Sequence, residues 1–360
     1  MQPAKPRPQK LEQQELQHWV AEQVTGRIRA HRTSHESGAL DAAGIVLQPL
    51  KAEASFRQFY RIFLRPPQSA AGPEPELVSS GFVLMVSPPE RENNAQFTAL
   101  IPVFRNAGVR VPELFASHTE SGWFLLEDLG DQDLEQAYSG PDREVAINAA
   151  LVMLTRIQQI DDPLIPAYTS QRLRDELGIF RQWFVTELLD LALPEPVEGV
   201  FEKLISRIDT QEKRCIHRDY HCRNLLYTPG EEIGVVDFQD ALKGAISYDV
   251  ASLLHDCYFE FEADEIAHWR EHFRRSIAPD LTPARFHTDV DYCAVQRQLK
   301  AIGIFTRLQR TRGLTSHLRH IDPVLGHLIG LCLRYPELVI LGRWLESVRA
   351  LAATRLERLL

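Results

Sequence analysis

The hydrophobic positions change period twice along this chain. Leu11, Leu16, Trp19, Val20 and Val24 recur on one face, which predicts a helix from Leu11 to about Ala30. Residues 31–43 are polar and small and predict a linker or loop. Strand-like apolar runs then take over. Residues 59–64 (FYRIFL) and 82–86 (FVLMV) predict strands, joined by the Pro/Ser/Gly-rich residues 66–80 as a long hairpin loop. Residues 92–106 predict a helix stopped by Gly108, and 114–118 and 123–127 predict two strands that turn at Ser121-Gly122. After Leu129-Gly130 the helical period dominates, over 145–160, 173–188, 201–208, 262–275, 284–309 and 337–359. A small β-rich island interrupts it at 225–227 and 233–236. The pattern predicts an α+β chain in two lobes: a small antiparallel β-rich lobe over 44–129 and a larger helical lobe over 130–360. Before them lies a segment 1–43, with a disordered Pro- and Lys-rich start, a helix and a linker. A junction of this kind is where ligand pockets are expected.

Composition narrows the function classes. Forty Lys and Arg against 49 Asp and Glu leave a net charge of −9, the wrong sign for a protein that coats nucleic acid. The longest apolar stretch, residues 327–342, is broken by Arg334, Pro336 and Glu337 and is too short to span a membrane. The N-terminus has no apolar core of a secretory signal. Five cysteines, an odd number with no framework spacing, fit a reducing cytoplasm. No feature marks an obligate protein partner.

The chemistry concentrates in one segment. Residues 215–224 read CIHRDYHCRN, and after the β-island comes Val236-Asp237-Phe238-Gln239-Asp240. The pattern is H-x-D-x-x-x-x-N, a hairpin, then an apolar residue followed by Asp-Phe. Phosphoryl transfer explains that order. One carboxylate orients the attacking hydroxyl, while an amide oxygen and a second carboxylate hold Mg²⁺ on nucleotide phosphates. The roles fall on Asp219 for the hydroxyl, and on Asn224 and Asp237 for the metal, with His217 bracing the loop. Gln239 and Asp240 follow the metal carboxylate and are expected to face an acceptor. Zinc on Cys215, His217, His221 and Cys222 is a rival reading, but four ligands within eight residues are hard to arrange tetrahedrally.

These motifs resemble the aminoglycoside phosphotransferase (APH) superfamily of kinase-like enzymes. Gly244-Ala245-Ile246-Ser247-Tyr248-Asp249-Val250-Ala251 resembles that family's G-x-x-x-Y-D-apolar-A element. The resemblance implies that Asp249 braces the catalytic loop from the first turn of a helix. Residues 54–61, 125–130, 236–241, 252–258 and 296–305 are further similar to one branch, bacterial ATP-dependent kinases of cell-wall recycling. That branch phosphorylates N-acetylmuramate and N-acetylglucosamine at the anomeric hydroxyl. Another alcohol, such as an aminoglycoside, a different sugar or an amino alcohol, is the alternative within the same fold. The resemblance implies that residues 54–60 cover the nucleotide phosphates, with Ser55, Phe56, Arg57 and Arg61 contributing. It also implies that the main chain of Glu127, Asp128 and Leu129 is the hinge that meets adenine.

One departure stands out. Kinase-like folds carry a lysine on the third strand for the α- and β-phosphates, and Met85 stands there, with no lysine anywhere in 52–202. Either an arginine substitutes, with Glu92 as its candidate partner, or the chain is a nucleotide-binding pseudokinase. The retained Asp219, Asn224 and Asp237 favour the first. Residues 265–320 are locally basic, which disfavours a cationic acceptor and makes Arg297 a candidate for a substrate carboxylate.

Overall fold

The strand signals resolve into one five-stranded antiparallel sheet. A computed structural model describes residues 9–31, 44–50, 56–65 and 77–360. The chain divides into two compact units, residues 1–102 with 111–130, and residues 103–110 with 131–360.

The first unit holds β1 (Ile45–Pro49), β2 (Gln58–Leu64), β3 (Val78–Val86), β4 (Leu114–His118) and β5 (Trp123–Glu127), in the order β1-β2-β3-β5-β4. Period-two alternation decides what each face buries. Ile62, Leu84 and Leu125 pack with Val20 and Val24 of α1 (Gln9–His31), and Trp19 lies 5.9 Å from Trp123. The opposite face carries Met85 and its partner Phe124, which meets Phe97 of α2 (Asn94–Asn106) edge-on. Thus α1 belongs to the first unit: its apolar stripe closes one face of the sheet. The turn at Ser121-Gly122 forms as expected. Gly122 has φ +70°, and a Cβ there would overlap the Ser87 carbonyl. Two details differ from the sequence expectation. β1 is an additional strand, and Val78–Ser80 already belong to β3, while residues 66–76 lie outside the described ones.

In the second unit the order is α3 (Leu134–Ala137), α4 (Arg143–Gln158), α5 (Ser170–Ile179), a π-helical stretch (Phe180–Leu188), α6 (Glu195–Asp209), β6 (Lys213–Ile216), β7 (Leu225–Leu226), β8 (Gly234–Val235), β9 (Leu242–Ala245), α7 (Tyr248–Leu254), α8 (Ala263–Ile277), α9 (Pro283–Arg312), α10 (Ile321–Leu333) and α11 (Val339–Glu357). β6 pairs with β9 and β7 with β8, both antiparallel. α9 is the axis of this unit. Thr282 caps it and Pro283 opens its first turn. It packs on α5, α6, α7, α8 and α10. Gly303 lets the π-helical backbone approach, since a Cβ there would lie 2.7 Å from Phe180 Cα. No helix among the described residues is long and apolar enough to cross a membrane.

This unit also buries histidines. Burial pushes His217 and His327 each down to about 4, and His255 well below the ordinary imidazole range. His255 and His327 line a cavity of about 210 Å³. The folded chain keeps these rings neutral, whereas the unfolded chain protonates them below about pH 6.5. The unfolded state therefore binds more protons, so stability rises with pH there and is lost as pH falls from about 6.5 toward 4. The thermal midpoint is expected to drop between pH 7 and pH 5 at constant ionic strength, the three rings outweighing Asp249, a buried carboxyl whose upward shift to about 7 acts in the opposite direction. A flat midpoint across that window would contradict it.

Candidate active site

The loop from His217 to Asn224 leaves β6, passes through a single 3₁₀ turn and enters β7. Cys215 and Ile216 bury its root. Arg218 has φ +78°, a left-handed conformation that costs a non-glycine residue and needs outside support. The support is Asp249, wholly buried in the first turn of α7. Its carboxylate accepts the backbone N–H of His217 at 2.6 Å and of Arg218 at 3.0 Å. Burial pushes its carboxyl up to about 7, and the two amides and Arg297 pull the other way.

His217 Nε2 lies 2.9 Å from the Val236 carbonyl, which can only accept, so the ring proton sits on Nε2. The ring thus ties the loop to the residue before Asp237. Asn224 donates from Nδ2 to the Asp219 carbonyl at 2.9 Å. That leaves the Asn224 side-chain oxygen as its group suited to a cation. Asp237 has φ +64°, and its Oδ1 accepts from Gln239 Nε2 at 2.6 Å. One amide oxygen and one carboxylate form a small, hard donor set, which fits Mg²⁺, a cation that retains several waters.

Asp219 is surrounded by positive charge. Lys300 Nζ lies 3.7 Å and Arg297 Nη1 3.8 Å from its Oδ1. Desolvation alone would raise its carboxyl, but Lys300, Arg297 and Arg218 hold it far below the usual carboxylate range. It is an anion at any working pH, able to accept a hydrogen bond from a hydroxyl.

Two side chains expected to face an acceptor are engaged within the protein. Gln239 is buried and its amide is engaged by Asp237, so it positions the carboxylate rather than reaching for an acceptor. Arg297 donates to the Arg218 carbonyl and lies over the Tyr248 ring at 5.1 Å, so it braces the strained loop. Asp240 remains 65% exposed, with Arg218 Nη1 at 3.9 Å.

In the first unit, Arg57 is buried and lies 3.4 Å from Glu92, which stands in the turn just ahead of α2. Glu92 also accepts the Phe56 backbone N–H at 3.0 Å, and Phe56 is itself exposed. Met85 is fully buried, and Arg57 stands just ahead of β2 with its Nε 3.4 Å from the Ser87 hydroxyl that follows β3. Arg61 makes a two-point ion pair with Asp128, at 2.7 and 2.9 Å. Asp128 Oδ1 also accepts from the Gly130 N–H, and Glu127 accepts the Glu113 N–H, while Leu129 is buried. Ser55 lies outside the described residues.

The sequence reading missed Glu176 on α5, and named Lys300 only as one of many basic residues. Glu176 is buried and accepts from Arg218 at 2.8 Å, from Gln296 at 3.1 Å and from the Tyr168 hydroxyl. A lysine inside the apolar run of α9 was a usable signal, because lysine is almost never buried without a purpose.

Comparison with known proteins follows from this geometry. A profile of the phosphotransferase enzyme family, APH, matches residues 46–287. An N-acetylmuramate/N-acetylglucosamine kinase of Pseudomonas putida is 29% identical over 349 residues, covering 94% of this chain and 96% of that relative. The protein of the same name from Pseudomonas aeruginosa is 30% identical over 312 residues, covering 84% and 88%. Among solved structures, an ethanolamine kinase of Plasmodium vivax matches with a TM-score of 0.60 at 10% identity, covering 91% of this chain and 96% of that one. At that identity the likeness speaks for the fold alone.

Proposed function

We propose, from the premise that this chain belongs to the APH phosphotransferase family, that it transfers the γ-phosphoryl of ATP to the anomeric hydroxyl of N-acetylmuramate and N-acetylglucosamine. The observation that carries the chemistry is the braced loop, which holds an ionised Asp219 among cations with Asn224 and Asp237 on either side of one hairpin. The sugar class is supported by relatives of that name that span nearly the whole chain. Dependence on ATP supports a cytoplasmic setting for the reaction.

Asp219 accepts the hydrogen bond of the anomeric hydroxyl and orients its oxygen for in-line attack. Asn224 and Asp237 would hold Mg²⁺, which when bound neutralises phosphate charge. Arg57, steadied by Glu92, stands in for the strand lysine on the nucleotide phosphates. An arginine suits that task, since its guanidinium can meet phosphate oxygens at two points.

The test is coupled ADP release with Mg·ATP and N-acetylmuramate, N-acetylglucosamine, glucose or kanamycin, with ³¹P NMR of the product. Anomeric phosphates from the two N-acetyl sugars are expected. Turnover of kanamycin or plain glucose in their place would overturn the acceptor assignment. Asp237→Ala is expected to weaken Mg²⁺-dependent ATP binding by at least about 10–100-fold. Titration calorimetry with and without Mg²⁺ reads this directly, and equal ATP affinity in variant and wild type would remove Asp237 from the metal site.

A further inference from the structure

Lys300 helps to hold Asp219 ionised, but that charge pairing leaves the donors of its ammonium without a hydrogen bond. Its side chain is 9% exposed, and its ammonium has no hydrogen-bond acceptor among the described residues. It stands 3.7 Å from Asp219 Oδ1 and 3.6 Å from Glu176 Oε1. Both separations are those of ion pairs, too long for a hydrogen bond. Glu176 is already supplied by Arg218, Gln296 and Tyr168. Asp219 also has Arg297 at 3.8 Å. The cluster sets three cations, Lys300, Arg218 and Arg297, against Glu176 and Asp219, with the exposed Asp240 3.9 Å from Arg218 and Asp249 engaged by the two loop amides. The two carboxylates balance its charge, but its N–H donors stay unmade, a cost that an anionic oxygen arriving within hydrogen-bond distance would relieve.

We propose that Lys300 is a further catalytic residue, whose ammonium donates to an anionic oxygen of the phosphoryl group as that group passes to the hydroxyl held by Asp219. The proposal rests on the kinase reading above. In the step, the anomeric oxygen forms a bond to the γ-phosphorus as the bond from that phosphorus to the β,γ-bridging oxygen breaks. ADP departs with the electron pair, and the hydroxyl proton goes to Asp219 and then to solvent. The oxygens of the moving phosphoryl lie next to the attacked hydroxyl, and hence next to Asp219. A donor fixed beside Asp219 before the reaction needs no reorganisation during it. The carboxylate of N-acetylmuramate offers the same chemistry to an ammonium, so the two acceptor sugars separate the sources.

Lys300→Met is expected to lower kcat by about 100-fold or more. The loss falls equally on neutral N-acetylglucosamine and acidic N-acetylmuramate, with sugar KM values within about threefold of wild type. Lys300→Arg, which keeps the charge, recovers part of the rate. Unfolding midpoints of both variants show whether they fold. Binding of ADP with aluminium fluoride, a mimic of the phosphoryl in flight, provides a readout without sugar. Wild type is expected to bind it more tightly than ADP alone, and Lys300→Met is expected to lose that gain. Wild-type turnover measured alongside reports on the kinase reading itself, so the two ideas fail separately. An effect confined to the KM for N-acetylmuramate, an unchanged kcat, or an aluminium fluoride gain that is absent from wild type or equal in both proteins would overturn the proposal.

Discussion

Asp219→Asn is expected to lower kcat by about 10³-fold while leaving ATP affinity within a few-fold of wild type. The substitution changes little shape. It removes the acceptor that aligns the hydroxyl and takes its proton, and it leaves Lys300 and Arg297 facing an amide instead of an anion. Nucleotide binding is assigned to other groups, so it should survive. ADP release under saturating sugar reads the first effect, and calorimetric titration of ATP reads the second. Turnover near the wild-type rate would end the assignment of Asp219. Loss of both turnover and folding would assign it to structure instead.

Asp249→Ala is expected to destabilise the fold by roughly 2–6 kcal/mol, since each of two buried donors left without its acceptor costs about 1–3 kcal/mol. Two backbone N–H groups would lose their acceptor in a site with no solvent to replace it. One of them belongs to Arg218, whose left-handed backbone then lacks its tether. Turnover should fall with the stability, because the next residue is Asp219. The plainer alternative is a carboxylate favoured by the dipole of α7, which is worth about 1 kcal/mol or less and leaves activity intact. Denaturant unfolding and kcat measured on one preparation distinguish the two. A loss of only about 1 kcal/mol with full activity would favour the dipole.

The sequence revealed most where the physics is local. The spacing H-x-D-x-x-x-x-N, the hairpin and the following Asp all lie within 21 residues, so their order exposes their purpose. The strands on either side of Ser121-Gly122 were equally plain, because alternation and a turn glycine coincide. β1 escaped notice because only its first three residues are part-buried and a proline ends it. β6 and β9 escaped because each is four residues long and is defined by its partner across the chain. Glu176 could not be found at all. Its three donors, Tyr168, Arg218 and Gln296, converge on it only when α5, the loop and α9 come together. The contacts that hold Gln239 and Arg297 were hidden for the same reason. Their nearness to the metal carboxylate and the acceptor was legible, but the bonds that hold them are tertiary.

The exchange of Met85 for a strand lysine has a practical side. Reagents that mark kinases by acylating an amine beside the nucleotide rely on a lysine that can shed its proton. On the function proposed above the matching charge is the Arg57 guanidinium, which stays protonated and does not acylate. Activity-based profiling with acyl-phosphate nucleotides would therefore find no lysine to label on β3, and silence at that strand would say nothing about whether the enzyme is alive. The same guanidinium offers selectivity. A flat, two-pronged cation pressed against Phe97 presents an inhibitor with a different surface from a lysine ammonium, and carboxylate or tetrazole groups shaped to that fork would discriminate between the two.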